Sequence, residues 1–346
     1  MKIQSYFIAA GLFFLIFSTA YSINTDDTAD SLKKHSPGLL FGNIYTGFYY
    51  GINENMIPKS AFDFTTGILG YCRSISDNVK GTIIYDVTRT TNFNYADTSG
   101  ISNYFEGSKY TAYLKMAQID WRINKRIEFN VGQLLNEQYL TVQDKFWGYR
   151  YIAFTQQEIN RMGMPADFGV RVKAYFLKEK LQFSLTACNG EGPFRYQDSK
   201  SKFLVSGNLE YRPNDKWILK VYGDFQKPQD HTLIERFVFS GFLGYKVDKL
   251  KIGAEFNEVI NEKYIEYSHD IGISFYAAYS LSEKIDVLGR YDYIDKESEL
   301  PIGYYGQFIV GGIQYQPVKN FVTSLNIKHN EFYNYYLICA NFGIKF

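Results

Sequence analysis

Apolar and polar residues alternate with a period of two along most of this chain. In the segment 166–176, ADFGVRVKAYF, Phe168 and Val170 fall on one face of an extended chain, and Asp167 and Arg171 fall on the other. Successive side chains of a β-strand point to opposite faces, so this pattern predicts strands with one apolar and one polar face. Runs of about ten such residues are typical of strands that have lipid on one side and water on the other.

The alternation predicts sixteen strands. They are expected at 39–51, 61–74, 79–90, 109–122, 125–135, 166–177, 180–189, 202–212, 215–225, 234–246, 249–260, 267–281, 283–293, 304–315, 319–329 and 336–346. Every second connection is a tight polar turn, such as INKR, LKEK or RPND, and the connections between them are longer. Short turns at one end and long loops at the other are the layout of an outer-membrane barrel. We therefore expect an all-β, transmembrane, antiparallel up-and-down barrel.

The last predicted strand supports this interpretation. Its apolar residues lie on one face, and they are Tyr336, Ile338, Ala340, Phe342, Ile344 and Phe346. The alternation that ends on Phe346 resembles the terminal aromatic signature by which the barrel assembly machinery recognises outer-membrane proteins. That machinery and the outer-membrane lipid are therefore expected partners.

The N-terminus indicates export. Lys2 is followed by the apolar run FIAAGLFFLIF and by small residues suited to cleavage, so residues 1–22 are predicted to be a secretory signal peptide. Residues 23–38 are polar and are expected to form a flexible periplasmic tail, and 39–346 are expected to form one barrel domain. The expected location is the outer membrane of a Gram-negative-type bacterium.

Composition narrows the function classes. Aromatic residues make up 18% of the chain, mean hydropathy is -0.25 and the formal net charge is +1, so the basic excess of a nucleic-acid binder is missing. Cys72, Cys188 and Cys339 are too widely spaced for a metal motif, and the four His residues form no HExxH-type pair. No cofactor and no metal are expected.

Strand number connects the barrel to a function. Eight strands are filled by side chains, whereas sixteen leave an aqueous lumen. The third long connection, 136–165, is the longest, and its apolar residues favour folding into that lumen as a constriction loop; they are Trp147, Tyr149, Tyr151, Ile152, Phe154, Ile159 and Met162. A solvated loop over the barrel mouth is the alternative. Thr155 and Glu158 fit a capping box, and Gly163 is placed to end a helix. This pattern predicts a helix over 156–162.

Three segments resemble a known family. KFWGYRY with NRMGMPADFGVRV, then LGRYDYID and VGGIQYQPVKNF, are similar to porins related to the phosphate-selective O and P channels. The matching positions are Trp147, Arg150, Arg161, Gly163, Asp167, Gly169, Arg290 and Asp292. The resemblance implies a sixteen-stranded, usually trimeric channel whose phosphate-selective members carry Arg and Lys at the constriction.

The charges of this chain depart from that pattern. Candidate constriction residues are Lys145, Arg150, Arg161, Asp167, Arg171 and Lys173, and the loop also holds Glu137, Asp144 and Glu158, which balance its three cations. Candidate lumen-lining residues are equally mixed: Lys115, Asp120, Arg122, Lys220, Asp224, Glu255, Asp286, Arg290 and Asp292, with Arg126, Glu128 and Lys328 beside them. Arg150 and Arg161 have a second interpretation, in which they pin the loop to wall carboxylates.

We therefore expect a porin for passive diffusion of small hydrophilic solutes or ions, at most weakly charge-selective and a homotrimer. A closed or plugged barrel with a transport, adhesion or structural role is the main alternative. The other alternative is an outer-membrane enzyme. Its candidate catalytic residues are His231 and the pair His269 and Asp270, although no nucleophile motif accompanies them.

Overall fold

The computed structural model describes residues 38–53, 58–89, 110–197, 200–228, 233–296 and 305–346. The predicted signal peptide and residues 23–37 of the predicted tail lie outside this part of the chain. So do the whole of the second long connection, residues 91–108, and His231.

Sixteen strands form the fold, as the alternation predicts. They are β1 (Leu39–Gly51), β2 (Ser60–Ser74), β3 (Val79–Arg89), β4 (Tyr110–Arg122), β5 (Ile127–Leu135), β6 (Ala166–Phe176), β7 (Leu181–Cys188), β8 (Leu204–Tyr211), β9 (Trp217–Gln226), β10 (Arg236–Val247), β11 (Leu250–Ile260), β12 (His269–Ser282), β13 (Ile285–Lys296), β14 (Gly306–Val318), β15 (Phe321–Asn330) and β16 (Tyr335–Lys345). The largest differences from prediction are at the ends of β13 and β14, which reach Lys296 and Val318. In β13 the alternation simply continues, because Ile294 is buried and Asp295 is exposed.

Every strand pairs antiparallel with its sequence neighbours, and β1 pairs with β16, so the sheet is a closed barrel. At the seam Asn43 lies opposite Lys345 and Gly51 opposite Leu337. The backbones of Gly42 and Phe346 exchange two hydrogen bonds of 2.9 and 3.0 Å. Closure removes the unpaired edges that an open sheet would expose.

The two faces of the wall differ as the pattern requires. On β16 the outward Ile338 and Phe342 are 41% and 40% exposed, while Asn341 points inward and is buried. A one-residue slip would exchange these faces, so the alternation also fixes the strand register.

Helical turns occur only in the long connections of the described residues. They are α1 (Gln143–Trp147), α2 (Gln156–Ile159) and a 3₁₀ turn at Glu262–Tyr264. No helix among the described residues is long and apolar enough to cross a membrane.

The predicted helix over 156–162 is wrong in extent. Thr155 does occupy the N-cap of α2, but its side chain makes no capping hydrogen bond. The Glu158 carboxylate, which a capping box needs, is instead bound by Arg150. Arg161 adopts the left-handed region at φ 52°, so the helix ends at Ile159, four residues before Gly163. Helix α1 has no counterpart in the prediction.

Candidate functional site

The third long connection, 136–165, lies inside the barrel and is called the lumen loop below. It begins and ends at one point of the rim, where the Asn136 N–H donates to the Pro165 carbonyl at 3.0 Å. From there it passes β9, where the Lys220 ammonium donates to the Gln138 carbonyl at 2.7 Å and to the Gln143 side chain at 2.6 Å. The expected infolding is therefore confirmed, and the surface-loop alternative is wrong.

The lumen loop descends almost to the short-turn end of the barrel. The Lys251 ammonium donates to the Trp147 carbonyl at 2.8 Å, and the Tyr149 hydroxyl donates to Asp286 at 3.0 Å. Lys251 and Asp286 are the second residues of β11 and β13, next to the tight turns. The loop thus lines the wall over most of its height instead of crossing the lumen at a single level.

The returning half of the loop is fixed by its backbone carbonyls. Arg290 on β13 donates to the Phe154 carbonyl at 2.5 Å, and Lys328 on β15 donates to the Ile152 carbonyl at 2.5 Å. At the long-loop end, Arg236 on β10 donates to the Met162 carbonyl at 3.2 Å. Together with Lys220 and Lys251, these form a set of five wall cations that bind loop carbonyls, and we call this set the cation clamp.

An apolar core joins the loop to the wall. The Trp147 ring is 1% exposed, packs against Tyr149 and Tyr276 with centroids 5.1 Å away in each case, and donates its indole N–H to the Ala153 carbonyl at 2.9 Å. Tyr151 and Ile152 belong to the same buried cluster, which includes Phe242, Leu288 and Val310 from the wall. Apolar side chains on the inner face of β10 to β14 are therefore covered by the loop.

Arg150 holds the loop together internally. Its guanidinium bonds Asp144 at 3.0 Å, bonds both oxygens of Glu158, and lies 4.4 Å from the Phe154 ring centroid. Burial lowers the pKa of Arg150, but the two carboxylates outweigh it and raise the pKa well above its ordinary value. The suggestion that Arg150 pins the loop to wall carboxylates is wrong, because both carboxylates belong to the loop.

Two of the predicted cations converge on one loop carboxylate. Arg171 and Lys173 on β6 approach Glu137 at 3.2 and 3.7 Å, and Ser184 donates to the same carboxylate at 2.5 Å. Arg171 also donates to Thr186 at 3.0 Å. Glu137 and Arg171 are each 3% exposed, so this network closes the space between the first part of the loop and β6.

The remaining predicted constriction residues have separate surroundings. Asp167 accepts hydrogen bonds from the backbone N–H groups of Phe168 and Gly190 at 2.8 and 2.5 Å, which fixes the start of the next connection. Lys145 and Arg161 are exposed on the loop.

The predicted lumen-lining residues mostly face inward and are paired there. Lys115 bonds Asp86 at 2.5 Å, Asp120 accepts from Asn130 at 2.6 Å, and Asp292 binds Arg290 and accepts from Ser274 at 2.6 Å. Asp224 accepts from Tyr222 at 3.0 Å, and Glu255 accepts from Gln157 of the loop at 3.2 Å.

The Arg122, Glu128 and Arg126 group is nearer the short turns. Arg122 reaches Glu179 at 2.7 Å, Glu128 accepts from Tyr175 at 3.1 Å, and Arg126 lies in the turn before β5. Sequence reasoning missed Lys251 and Arg236 of the cation clamp. The alternation places both on the inward face, but that signal does not show what covers them.

Burial also shifts the pKa of two tyrosine hydroxyls of the loop. Desolvation raises the pKa of Tyr149, and the nearby Asp286 carboxylate raises it further. Desolvation likewise raises the pKa of Tyr151. Both phenols therefore remain hydrogen-bond donors at neutral pH.

A cavity of about 710 Å³ opens at the long-loop end, between the last turn of the lumen loop and the ends of β6 to β10. Elsewhere, the three thiols are free, and the described residues contain no group of three or more His, Cys, Asp or Glu side chains placed to hold a metal ion. His269 lies 3.4 Å from Glu258.

Comparisons with known proteins agree with this architecture. The family model described as "Putative beta-barrel porin-2, OmpL-like" matches residues 164–333. No curated protein matches the sequence.

Solved structures match over most of the chain. Salmonella typhi OmpF in complex with daunomycin is 11% identical with a TM-score of 0.65, over 89% of this chain and 97% of that one. A mutant Rh. blastica porin is 11% identical with a TM-score of 0.56, over 90% and 100%. The trimer form of OmpT of Vibrio cholerae is 8% identical with a TM-score of 0.56, over 90% and 99%. The chain is thus a closed sixteen-stranded barrel of porin architecture, similar from the end of its lumen loop through β15 to an OmpL-like barrel porin family.

Proposed function

We propose that this protein is an outer-membrane porin, a channel for passive diffusion of small hydrophilic solutes or ions. The observation that carries the proposal is the sixteen-stranded wall with an internal loop, since a barrel of this strand number encloses an aqueous lumen. A passive channel fits the porin architecture and the OmpL-like family match.

The water path in this proposal runs between the lumen loop and β2 to β5. The loop docks on β9 to β15 and also meets β1, where the Tyr151 and Tyr45 ring centroids are 6.2 Å apart, so the side formed by β2 to β5 is left for solute. Half-buried Thr82 and Asp120 face that side, half-buried Asn43 lies at its edge on β1, and the exposed Lys145 lies on the loop. These groups carry both charges and neutral amides.

Weak charge selectivity follows from the pairing and burial of the charged side chains. Arg171 and Lys173 share Glu137, Arg150 binds two carboxylates, and Arg290 and Lys220 lie beneath the loop at 4% and 2% exposure. A cation that is already paired or covered adds little to the field that a passing ion meets. A phosphate-selective site of the O and P type is therefore not part of this proposal, and closer kinship with those channels rests on the three resembling segments alone.

Location and assembly complete the proposal. The apolar outer face and the Phe346 terminus support insertion into a Gram-negative outer membrane by the barrel assembly machinery. Residues 1–22 would be the exported leader and 23–38 the periplasmic tail. A homotrimer is proposed by analogy with the trimer form of Vibrio cholerae OmpT.

A plugged barrel is the second candidate function, and one observation favours it. Most of the lumen loop is buried, and it reaches the short-turn ends of β11 and β13. An enzyme has less support, because the His269 imidazole lies 3.4 Å from a carboxylate, that of Glu258.

Planar-bilayer conductance of refolded, heat-modifiable protein distinguishes the two candidates. Stepwise conductance is expected, with a reversal potential close to zero under a salt gradient. A variant in which an Asn-Gly turn replaces residues 138–163 keeps the paired loop ends and should conduct several-fold more. A silent wild type beside a conducting variant would establish the plugged barrel, and silence of both would refute the channel.

A further inference from the structure

The cavity at the long-loop end has the size of a ligand site. Its volume of about 710 Å³ falls within the usual range of roughly 300–1,000 Å³ for small-molecule pockets. Buried side chains from the wall, including Arg171, Thr186 and Tyr222, line its inner part. A solute that approaches from this end therefore meets a concave pocket on the β6 to β10 side of the barrel mouth.

The charge of the pocket is unbalanced toward the positive. Seven Lys or Arg side chains line it, against four carboxylates. Three of those carboxylates are already bound within the protein: Asp167 by two backbone N–H groups, and Asp224 and Glu262 by Arg236 at 3.5 and 3.3 Å. These three carboxylates therefore already have hydrogen-bond or ion-pair partners within the protein.

Four of the cations are not neutralised in this way. Within the described part of the chain, no carboxylate forms an ion pair with Arg161, Arg195, Lys227 or Lys263. Three of them, Arg161, Arg195 and Lys227, are exposed to solvent. Cations along a concave, low-dielectric surface raise the local concentration of anions.

The same pocket also carries apolar surface. Leu134, Met164, Leu204 and Leu233 line it together with the cations. An inorganic anion would leave these side chains unused, whereas an organic acid can place its carboxylate near the cations and its hydrocarbon part on the leucines. We infer that this pocket, called the mouth pocket below, binds small organic anions with an apolar body, such as aromatic or branched carboxylates.

This inference rests on the proposed function, since it names a solute class that the channel would encounter at its mouth. Equilibrium dialysis of full-length refolded protein in detergent micelles, with benzoate as the probe, measures the binding. Saturable benzoate binding is expected, with weaker binding of inorganic phosphate and of benzylamine. The double variant Arg161→Gln with Lys263→Gln should weaken benzoate binding about tenfold, at roughly threefold for each cation removed.

Controls separate the two parts of the chemistry. Lys249→Gln with Lys284→Gln removes two exposed cations at the short-turn end and should leave benzoate binding unchanged. Met164→Gln keeps the side-chain size and should weaken benzoate but not phosphate.

Each adverse outcome has a defined meaning. Equal loss in the cation variant and its control, or phosphate binding as tight as benzoate, would overturn the inference. Conductance without benzoate tests the proposed function separately: a conducting channel that binds no benzoate refutes only the mouth pocket, and a silent barrel that binds benzoate refutes only the channel.

Discussion

Truncation of Trp147 should detach the lumen loop without unfolding the barrel. The ring is almost fully buried, packs edge-on against Tyr149 and Tyr276, and donates to the Ala153 carbonyl. Replacing a buried Trp by Ala costs about 3–5 kcal/mol. The ring pairs the loop with the wall and is no part of the strand ladder, so this cost falls on loop docking, whose equilibrium constant should drop at least about a hundredfold.

Trypsin reports on this equilibrium, because Arg150 is 8% exposed while the loop is docked. In Trp147→Ala, cleavage after Arg150, followed by mass spectrometry of the fragments, should be about a hundredfold faster than in the wild type. Single-channel conductance should rise and fluctuate in the same variant.

The matched control is Trp217→Ala. Trp217 is 37% exposed on the outer face, and its ring centroid lies 4.4 Å from that of Tyr245. The Trp217→Ala substitution therefore removes an equal volume away from the loop. If Trp147→Ala and Trp217→Ala are cleaved after Arg150 at the same rate and conduct alike, the loop is not held by its aromatic core and the reasoning fails.

Three further outcomes are expected. Lys220→Met strips a buried donor from loop carbonyls, so cleavage after Arg150 should accelerate about tenfold or more, whereas Lys216→Met in the exposed turn before β9 should change nothing. Burial raises the pKa of docked Tyr149, while an undocked phenol ionises near its ordinary value of about 10; docking is therefore at full strength below about pH 10 and weakens above it. Undocking at alkaline pH should raise the conductance. Tyr149→Phe should reduce this rise, and an unchanged rise would show that the Tyr149 phenol does not cause it. Arg150→Gln leaves Glu158 uncompensated and should move the reversal potential toward cation selectivity; a shift toward anions would contradict the pairing.

The wall of the barrel could be read from the sequence because its pattern is local. A strand between two different solvents must alternate residue by residue, and each tight turn fixes the next strand's direction. The sequence pattern places the ends of β13 and β14 too early, because residues that are common in loops, such as Asp295 and Pro317, also fit an extended chain.

The path of the lumen loop could not be read in the same way. Alternation shows that Lys220 and Arg290 point inward, but it does not show that loop carbonyls cover them. Helix α1 spans five residues, too few for a helical repeat to emerge. The capping pattern at Thr155 is ambiguous for a related reason, because Glu158 has a stronger partner, Arg150, that lies eight positions earlier. Such choices depend on contacts between distant segments.

Because of where the lumen loop is attached, the structure of the wall and the permeability of the channel can vary independently. Its ends leave and rejoin the wall between Leu135 and Ala166, which are themselves paired neighbours. Exchange of the thirty residues between them leaves the register of every strand as it is. One unchanged wall can therefore accept interiors of different bore, and new permeability can arise, in evolution or by engineering, without a new barrel having to be invented.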